Sequence, residues 1–422
     1  MSQPLPLALY AAATCLLEPL VPRILRARAR AGKEEPGRLA ERLGRTRQSR
    51  PDGPLVWLHG VSVGEGLSLL PLVAALRARR PHLTLLVTSG TVTAARLLAE
   101  RLPPGVIHQF APIDTPGAAR RFLDHWRPAT GLFVESELWP NLIAAARARG
   151  VKLALLSARI TEQSAQGWAR VPASARNLLA AFDCILPQDA ATAARLTRLG
   201  GRIDGELNLK RLGAAPPADP AVVAALRAAI GPRKVVLAVS THPGEEMLIA
   251  AAFRQAADPA ALLIIAPRHP ERGPAIAHEL TQAGFKTARR GAGEPLGRAT
   301  SAYVADTLGE VGPLIAVSNV VIMGGSFVPG IGGHNPLEPA RMGAAIVSGP
   351  DVFNAADLYA EMFAQVAAIE ARDAAALARH LCGLLAYPIV ARRISEAALT
   401  YAGRQGDALD AALVRLDPLL PA

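Results

Sequence analysis

The chain has 422 residues, half of them hydrophobic and only 19% charged, a composition that buries large cores and excludes wholesale disorder. Its length fits two domains, and three widely spaced cysteines (Cys15, Cys184 and Cys382) exclude both a disulfide framework and a cysteine zinc site. Lys and Arg outnumber Asp and Glu by 46 to 35, a net charge of +11 that favours anionic partners, yet the basic residues are scattered without interleaved aromatics, which argues against nucleic acid.

From Leu5 to Leu17 the chain is apolar apart from Thr14, with Pro6 near the start; Glu18 and Pro19 interrupt the run, and Arg23, Arg26, Arg28, Arg30 and Lys33 follow. The run is short for a bilayer span, which needs ~20 residues, and no basic residue precedes it, so a cleaved signal peptide fits poorly. Residues 1–36 are therefore expected to form an interfacial helix or a short single anchor, with the arginines on the cytoplasmic side; a helix packed into the core is the alternative.

From Pro54 onward, short apolar runs alternate with Ala/Leu/Arg-rich helical stretches. The runs 55–58, 83–87, 106–110, 131–134, 152–156 and 184–186 read as strands, with helices such as 67–80, 92–101 and 141–149 between them. That alternation predicts a parallel, doubly wound sheet over residues 37–213. The stretch GAAPPADP breaks the pattern, so residues 214–220 read as a linker. The alternation restarts in 221–422 with strands at 235–239, 262–266, 302–305, 320–323 and 345–347 and a closing helix at the end. Two Rossmann-like halves place a ligand at the carboxyl ends of the strands, in the crevice between them.

The loop after the first strand reads His59-Gly-Val-Ser-Val-Gly-Glu65. Glu65 at a helix start is either a general base for a bound hydroxyl or a helix cap. The same loop contains Gly60-x-Ser62-x-Gly64, the pattern of a hydrolase nucleophile, though on an unusually early strand. The fourth strand ends in Phe133-Val-Glu-Ser-Glu-Leu-Trp-Pro140, bringing Glu135 and Glu137 to a strand end, as functional groups or as caps. In the second half, Ser240-Thr-His-Pro-Gly-Glu-Glu246 and Ala266-Pro-Arg-His-Pro-Glu-Arg272 follow successive strands. Arg268 and His269 suit a phosphate or a base edge. Asp306-Thr-Leu-Gly-Glu-Val311 opens a helix, and a long Gly-rich loop, 324–338, runs into another. Such loops place backbone N–H groups around phosphate, so together they point to a nucleotide site. There is no P-loop, no GxGxxG after the first strand of either half, no Asp-x-Asp and no HExxH, so no metal site is proposed.

In this order, HGVSVGE, ESELWPN, GELNLK, APRHPER, DTLGEVG and GGSFVPGIGGHNPLEP resemble the motifs of bacterial 3-deoxy-D-manno-octulosonic acid (Kdo) transferases, from about Arg38 to about Tyr359. The resemblance implies an α/β fold of GT-B type and inverting, metal-independent transfer of Kdo from CMP-Kdo to a lipid A precursor. It also implies the cytoplasmic face of a Gram-negative inner membrane and no bound cofactor. Carried onto this chain, it makes Glu65 the proton acceptor and Glu135 and Lys210 the transition-state stabilisers. CMP would be held by Arg268 and His269, by Gly309, Glu310 and Val311, and by Asn335, Pro336, Leu337 and Glu338. Two other readings stay open: a serine hydrolase using Ser62, and a non-catalytic adaptor for anionic membranes.

Overall fold

The computed structural model describes residues 4–136, 138–213, 215–256 and 258–421. Its contacts divide the chain into two units, Met1–Leu212 with Gly406–Ala422, and Gly213–Gln405.

Among the described residues, six strands build the first unit: β1 (Leu55–His59), β2 (Thr84–Ser89), β3 (Ile107–Phe110), β4 (Thr130–Val134), β5 (Lys152–Ala158) and β6 (Cys184–Pro187). They pair in parallel in the order β3-β2-β1-β4-β5-β6. Helices cover both faces, which is why the strands are near-continuous apolar runs rather than alternating ones. Within β1, Leu55 and Trp57 pack with Phe122, Trp126 and Phe133 on one face, while Val56 and Leu58 pack with Leu72 and Leu76 on the other. The helix expected over 67–80 is two helices, Val63–Ser68 and Leu70–Arg79. Pro71 sits in the first turn of the second, where its missing N–H leaves no donor to continue the first.

The second unit is also parallel. Its strands are β7 (Val235–Thr241), β8 (Leu262–Pro267), β9 (Thr287–Arg289), β10 (Ala302–Val304), β11 (Val320–Met323), β12 (Ala345–Ser348) and β13 (Ile369–Glu370), in the order β13-β12-β11-β7-β8-β10-β9. The edge strands β9 and β13 are absent from the sequence expectation. At three and two residues they are too short to carry a period.

The strand order reverses between β1 and β4 in the first unit and between β7 and β11 in the second, where β10 also inserts between β8 and the edge strand β9. Loops leaving such a switch point diverge and open a crevice, where ligands of doubly wound sheets bind.

Two terminal features differ from the sequence expectation. The helix Pro388–Leu416 runs from the second unit into the first, and residues 406–422, expected with the second half, group with the first unit because Ala412, Leu413 and Leu416 fill one face of its core. At the other end, the helix Leu5–Leu17 does not stop at Glu18. A single 3-10 turn (Glu18–Leu20) leads directly into Val21–Arg30, giving 26 helical residues, long and apolar enough to cross a membrane by length and composition.

All four tryptophans, Trp57, Trp126, Trp139 and Trp168, belong to the first unit, so fluorescence reports its unfolding. Leu416 is fully buried there. Leu416→Ala is expected to lower the stability of that unit by about 2–5 kcal/mol, seen as a fall in the urea midpoint of tryptophan fluorescence. Leu308→Ala, at an exposed position of the second unit, leaves that midpoint unchanged.

Candidate active site

At the switch point of the first unit, the β1 loop turns into the helix Val63–Ser68 through a capping box. The Ser62 hydroxyl accepts the Glu65 N–H at 3.2 Å, and Glu65 Oε2 accepts the N–H groups of Val61 at 2.6 Å and Ser62 at 3.3 Å. Glu65 is buried, with both hydrogen bonds on one oxygen. A Cβ on Gly60 would lie 3.0 Å from Val134 and 3.1 Å from Glu65, so the absence of a side chain there lets the loop close against the end of β4. Beneath it, His59 is fully buried: its Nδ1 meets the Thr88 hydroxyl at 2.9 Å and its ring packs edge-on against Phe133 and Trp139. Burial, with the nearby Arg42 charge, pushes its pKa down to about 3, so at neutral pH it is an uncharged packing group.

Across the switch point, Glu135 ends β4 in the left-handed region, at φ 56°. Its buried carboxylate pairs with Lys210 at 2.7 Å, while the lysine stem stays half exposed. Lys210 rides on a short turn, Leu209–Arg211, held at two points: Asn208 Oδ1 accepts the Lys210 N–H at 3.1 Å, and Ser157 Oγ accepts the Leu209 N–H at 3.3 Å. Ser157 is itself left-handed (φ 49°), at the irregularity where β5 slips against β6. Beside Glu135 lies a cavity of about 270 Å³, lined by Leu138, Arg159 and Trp168 among others. Glu137 lies outside the described residues.

The second unit repeats the plan with a different emphasis. Glu245, at the start of the helix Glu245–Gln255, is fully buried and saturated with donors. One oxygen accepts His242 N–H at 2.9 Å and Gly325 N–H at 2.6 Å; the other accepts Ser326 N–H at 3.0 Å and Phe327 N–H at 2.9 Å. The sequence suggests that the glycine-rich loop offers its N–H groups to phosphate, but three of them are committed to this carboxylate. The neighbouring Glu246 is tied to Thr241 Oγ1 at 2.9 Å and to both terminal nitrogens of Arg272.

A cavity of about 230 Å³ opens over the switch point, lined by Ser240, Arg268, Val311, His334, Asn335 and Glu338 among others. Four of the nine expected nucleotide contacts therefore share one pocket. The remaining five are placed otherwise. His269 is exposed, 3.5 Å from Glu271. Gly309 makes a left-handed turn at φ 80°. The Glu310 side chain points to another cavity, where Arg290 grips both its oxygens and the Thr307 hydroxyl adds a third bond. Pro336 caps the helix Leu337–Arg341, and Leu337 is core, its N–H held at 3.0 Å by Asn335 Oδ1.

His334, unassigned from sequence, faces the pocket with its Nε2 2.9 Å from that of His242. Burial, His242 and Arg268 push its pKa down to about 4, so the ring is neutral at physiological pH and adds no charge beside Arg268. Burial also raises Glu338 despite its neighbours Arg341 and Arg268.

A family model for 3-deoxy-D-manno-octulosonic-acid transferase matches residues 37–211. The 3-deoxy-D-manno-octulosonic acid transferase of Bordetella pertussis is 36% identical over 86% of this chain and 88% of its own length. The chain belongs to the Kdo transferase family. A relative described as a probable mitochondrial Kdo transferase of Arabidopsis thaliana is 37% identical over 81% of this chain and 79% of its own length. Among solved structures, a glycosyltransferase from Rickettsia africae superposes with a TM-score of 0.57 over 87% of this chain and 99% of that one, at 11% identity, a likeness of fold. Membership makes the chain a Kdo-transferring glycosyltransferase of lipopolysaccharide assembly, with two Rossmann-like units of GT-B type.

Two outcomes follow from this geometry. Glu245→Gln replaces an acceptor oxygen by an NH₂ group facing N–H donors. Amide hydrogen exchange at Gly325, Ser326 and Phe327 should accelerate at least tenfold, while that of the first unit stays unchanged. Acid should also destabilise the first unit. His59 falls from an ordinary value of 6.5 to about 3 on folding, so between those values the unfolded chain binds the extra proton. Its contribution to stability is complete above pH 6.5 and is lost as pH falls toward 3; urea midpoints at pH 7 and pH 4.5 should differ less in His59→Gln than in the parent.

Proposed function

We propose that the chain moves Kdo from CMP-Kdo to a sugar hydroxyl of a lipid A precursor of the lipid IVA kind, inverting the anomeric carbon without a metal, at the cytoplasmic face of an inner membrane. The observation that carries this reading is the pairing at the first switch point. Glu65 ends the loop after β1, and Glu135, joined to Lys210, ends the adjoining β4.

In this reading the acceptor oxygen attacks the anomeric carbon of Kdo, the bond from that carbon to the CMP phosphate oxygen breaks, and the acceptor proton passes to Glu65. The capping box holds one Glu65 oxygen and so fixes where the carboxylate points, which is what a positioned base requires. Lys210 brings positive charge toward the Kdo carboxylate and the developing charge of the transition state, and Glu135 holds the ammonium in place from its buried side. In the second unit, Arg268 suits the phosphate of CMP, and the pocket with Asn335 and Glu338 suits the nucleoside. The helical segment 5–30 supports membrane attachment. Ser62 is a helix cap in the structure, its hydroxyl bound to the Glu65 N–H, which supports the base reading over the hydrolase reading.

The test is a transfer assay with tetra-acylated lipid A precursor, freshly generated CMP-Kdo and EDTA, read by mass spectrometry of the lipid. Wild type should add whole Kdo units. Glu65→Gln should lose at least 10²-fold in rate. Ser62→Ala should lose about 1 kcal/mol of stability with its cap but retain transfer. No mass gain with wild type and intact donor overturns the assignment of donor and acceptor.

A further inference from the structure

The N-terminal helix meets the first unit through an unusual stripe. Tyr10, Thr14 and Glu18 recur every four residues and so share one face. Each is bonded to the body: Tyr10 O–H donates to Asp114 at 3.0 Å, Asn141 Nδ2–H donates to Thr14 Oγ1 at 2.9 Å, and Glu18 accepts from Arg121 at 2.8 Å and from the Gly117 N–H at 3.0 Å. The last bond places the Glu18 carboxylate on the first turn of the helix Pro116–Trp126, where the helix dipole favours it. Gly117 makes the room, since a Cβ there would come within 2.3 Å of the carboxylate. Leu7 and Leu25, on the same face, are buried against the body.

The opposite face is the reverse. Leu5, Leu9, Leu16, Leu17, Leu20 and Ile24 project outward, Leu16 as much as 81% exposed. Arg23 and Arg30 stand seven and fourteen residues after Leu16 and so continue its line along the helix, with Arg26 beside them, and none of the three has an ion-pair partner among the described residues. A cavity of about 570 Å³ adjoins the helix, and Arg45 and Arg120, also without ion-pair partners among the described residues, stand on its wall. The exposed side is thus apolar over its N-terminal part and cationic toward its C-terminal end, the complement of an anionic lipid leaflet.

We infer that residues 5–30 lie in the plane of an anionic membrane surface, docked on the first unit, and do not cross the bilayer. This rests on the reading that the chain works at a membrane, and it specifies how. Crossing would require Tyr10, Thr14 and Glu18 to leave their partners and enter hydrocarbon. Glu18 sits mid-segment, where an unpaired carboxylate is most disfavoured, and Asp114, Asn141 and Arg121 would be left without these partners. Lying flat keeps every polar group of the stripe satisfied and gives the exposed leucines to the acyl boundary.

The experiment has two arms on the full chain. In flotation with vesicles of phosphatidylethanolamine and phosphatidylglycerol, the protein should float, and Leu9→Glu/Leu16→Glu should reduce the floated fraction at least tenfold. In the second arm, single cysteines are introduced ahead of the helix at Ser2→Cys and, as a control, at Asp52→Cys, in a Cys15→Ser/Cys382→Ser background expressed in a Gram-negative host. A membrane-impermeant maleimide should label both positions in inverted inner-membrane vesicles and neither in spheroplasts. Labelling of position 2 but not 52 in spheroplasts means that the helix crosses, and overturns the inference while leaving membrane attachment intact. Absence of flotation, with both cysteines in the soluble fraction, overturns membrane attachment itself.

Discussion

The second unit is organised around one buried carboxylate. Glu245 takes four backbone N–H groups, one from the loop after β7 and three from the loop after β11, and so ties together the two loops that diverge at the switch point. A fully buried carboxylate is tolerated there because both oxygens are filled by donors, and that condition fixes the start of the glycine-rich loop to the end of β7. The shape of the pocket over Arg268, His334 and Asn335 follows from that joint.

The first unit holds a carboxylate in the equivalent place, in the first turn of the helix after its first strand, and the comparison separates structure from chemistry. Glu65 accepts two N–H groups, both on Oε2, from its own loop; Glu245 uses both oxygens, on two loops. The saturated carboxylate is a clamp. The one held by a single oxygen is oriented while its second oxygen makes neither capping bond, which is what the proposed role as a base requires. Backbone strain marks the same edges: Glu135, Ser157 and Ser240 all adopt left-handed conformations at the carboxyl ends of β4, β5 and β7, at a cost of roughly 1–2 kcal/mol each. At Ser157 the strained residue also steadies the turn that carries Lys210.

Much of this was legible in the chain itself. Eleven of the thirteen strands among the described residues were visible as apolar runs because parallel strands are buried on both faces. The placement of Glu65 at a helix start and of Glu135 at a strand end could be read directly, and the family resemblance grouped Arg268, Val311, Asn335 and Glu338, which line one pocket. The separation of Glu310 and Leu337 from that pocket could not. It depends on Arg290 and on the packing of the helix Leu337–Arg341, contacts that leave no trace in a motif. Nor could the role of Glu245, since a motif of Thr-His-Pro-Gly-Glu-Glu does not reveal which carboxylate turns toward a loop eighty residues away. The extent of the N-terminal helix was hidden by Glu18-Pro19, read as an interruption, because Pro is tolerated in the first turn of the next helical stretch.

The return of residues 406–422 to the first unit has a consequence for biosynthesis. In chain order the second unit is an insertion within the first, whose core stays open until Ala412, Leu413 and Leu416 arrive. The half begun first is therefore completed only after the whole second unit has been made, and until then it presents an unfilled apolar face.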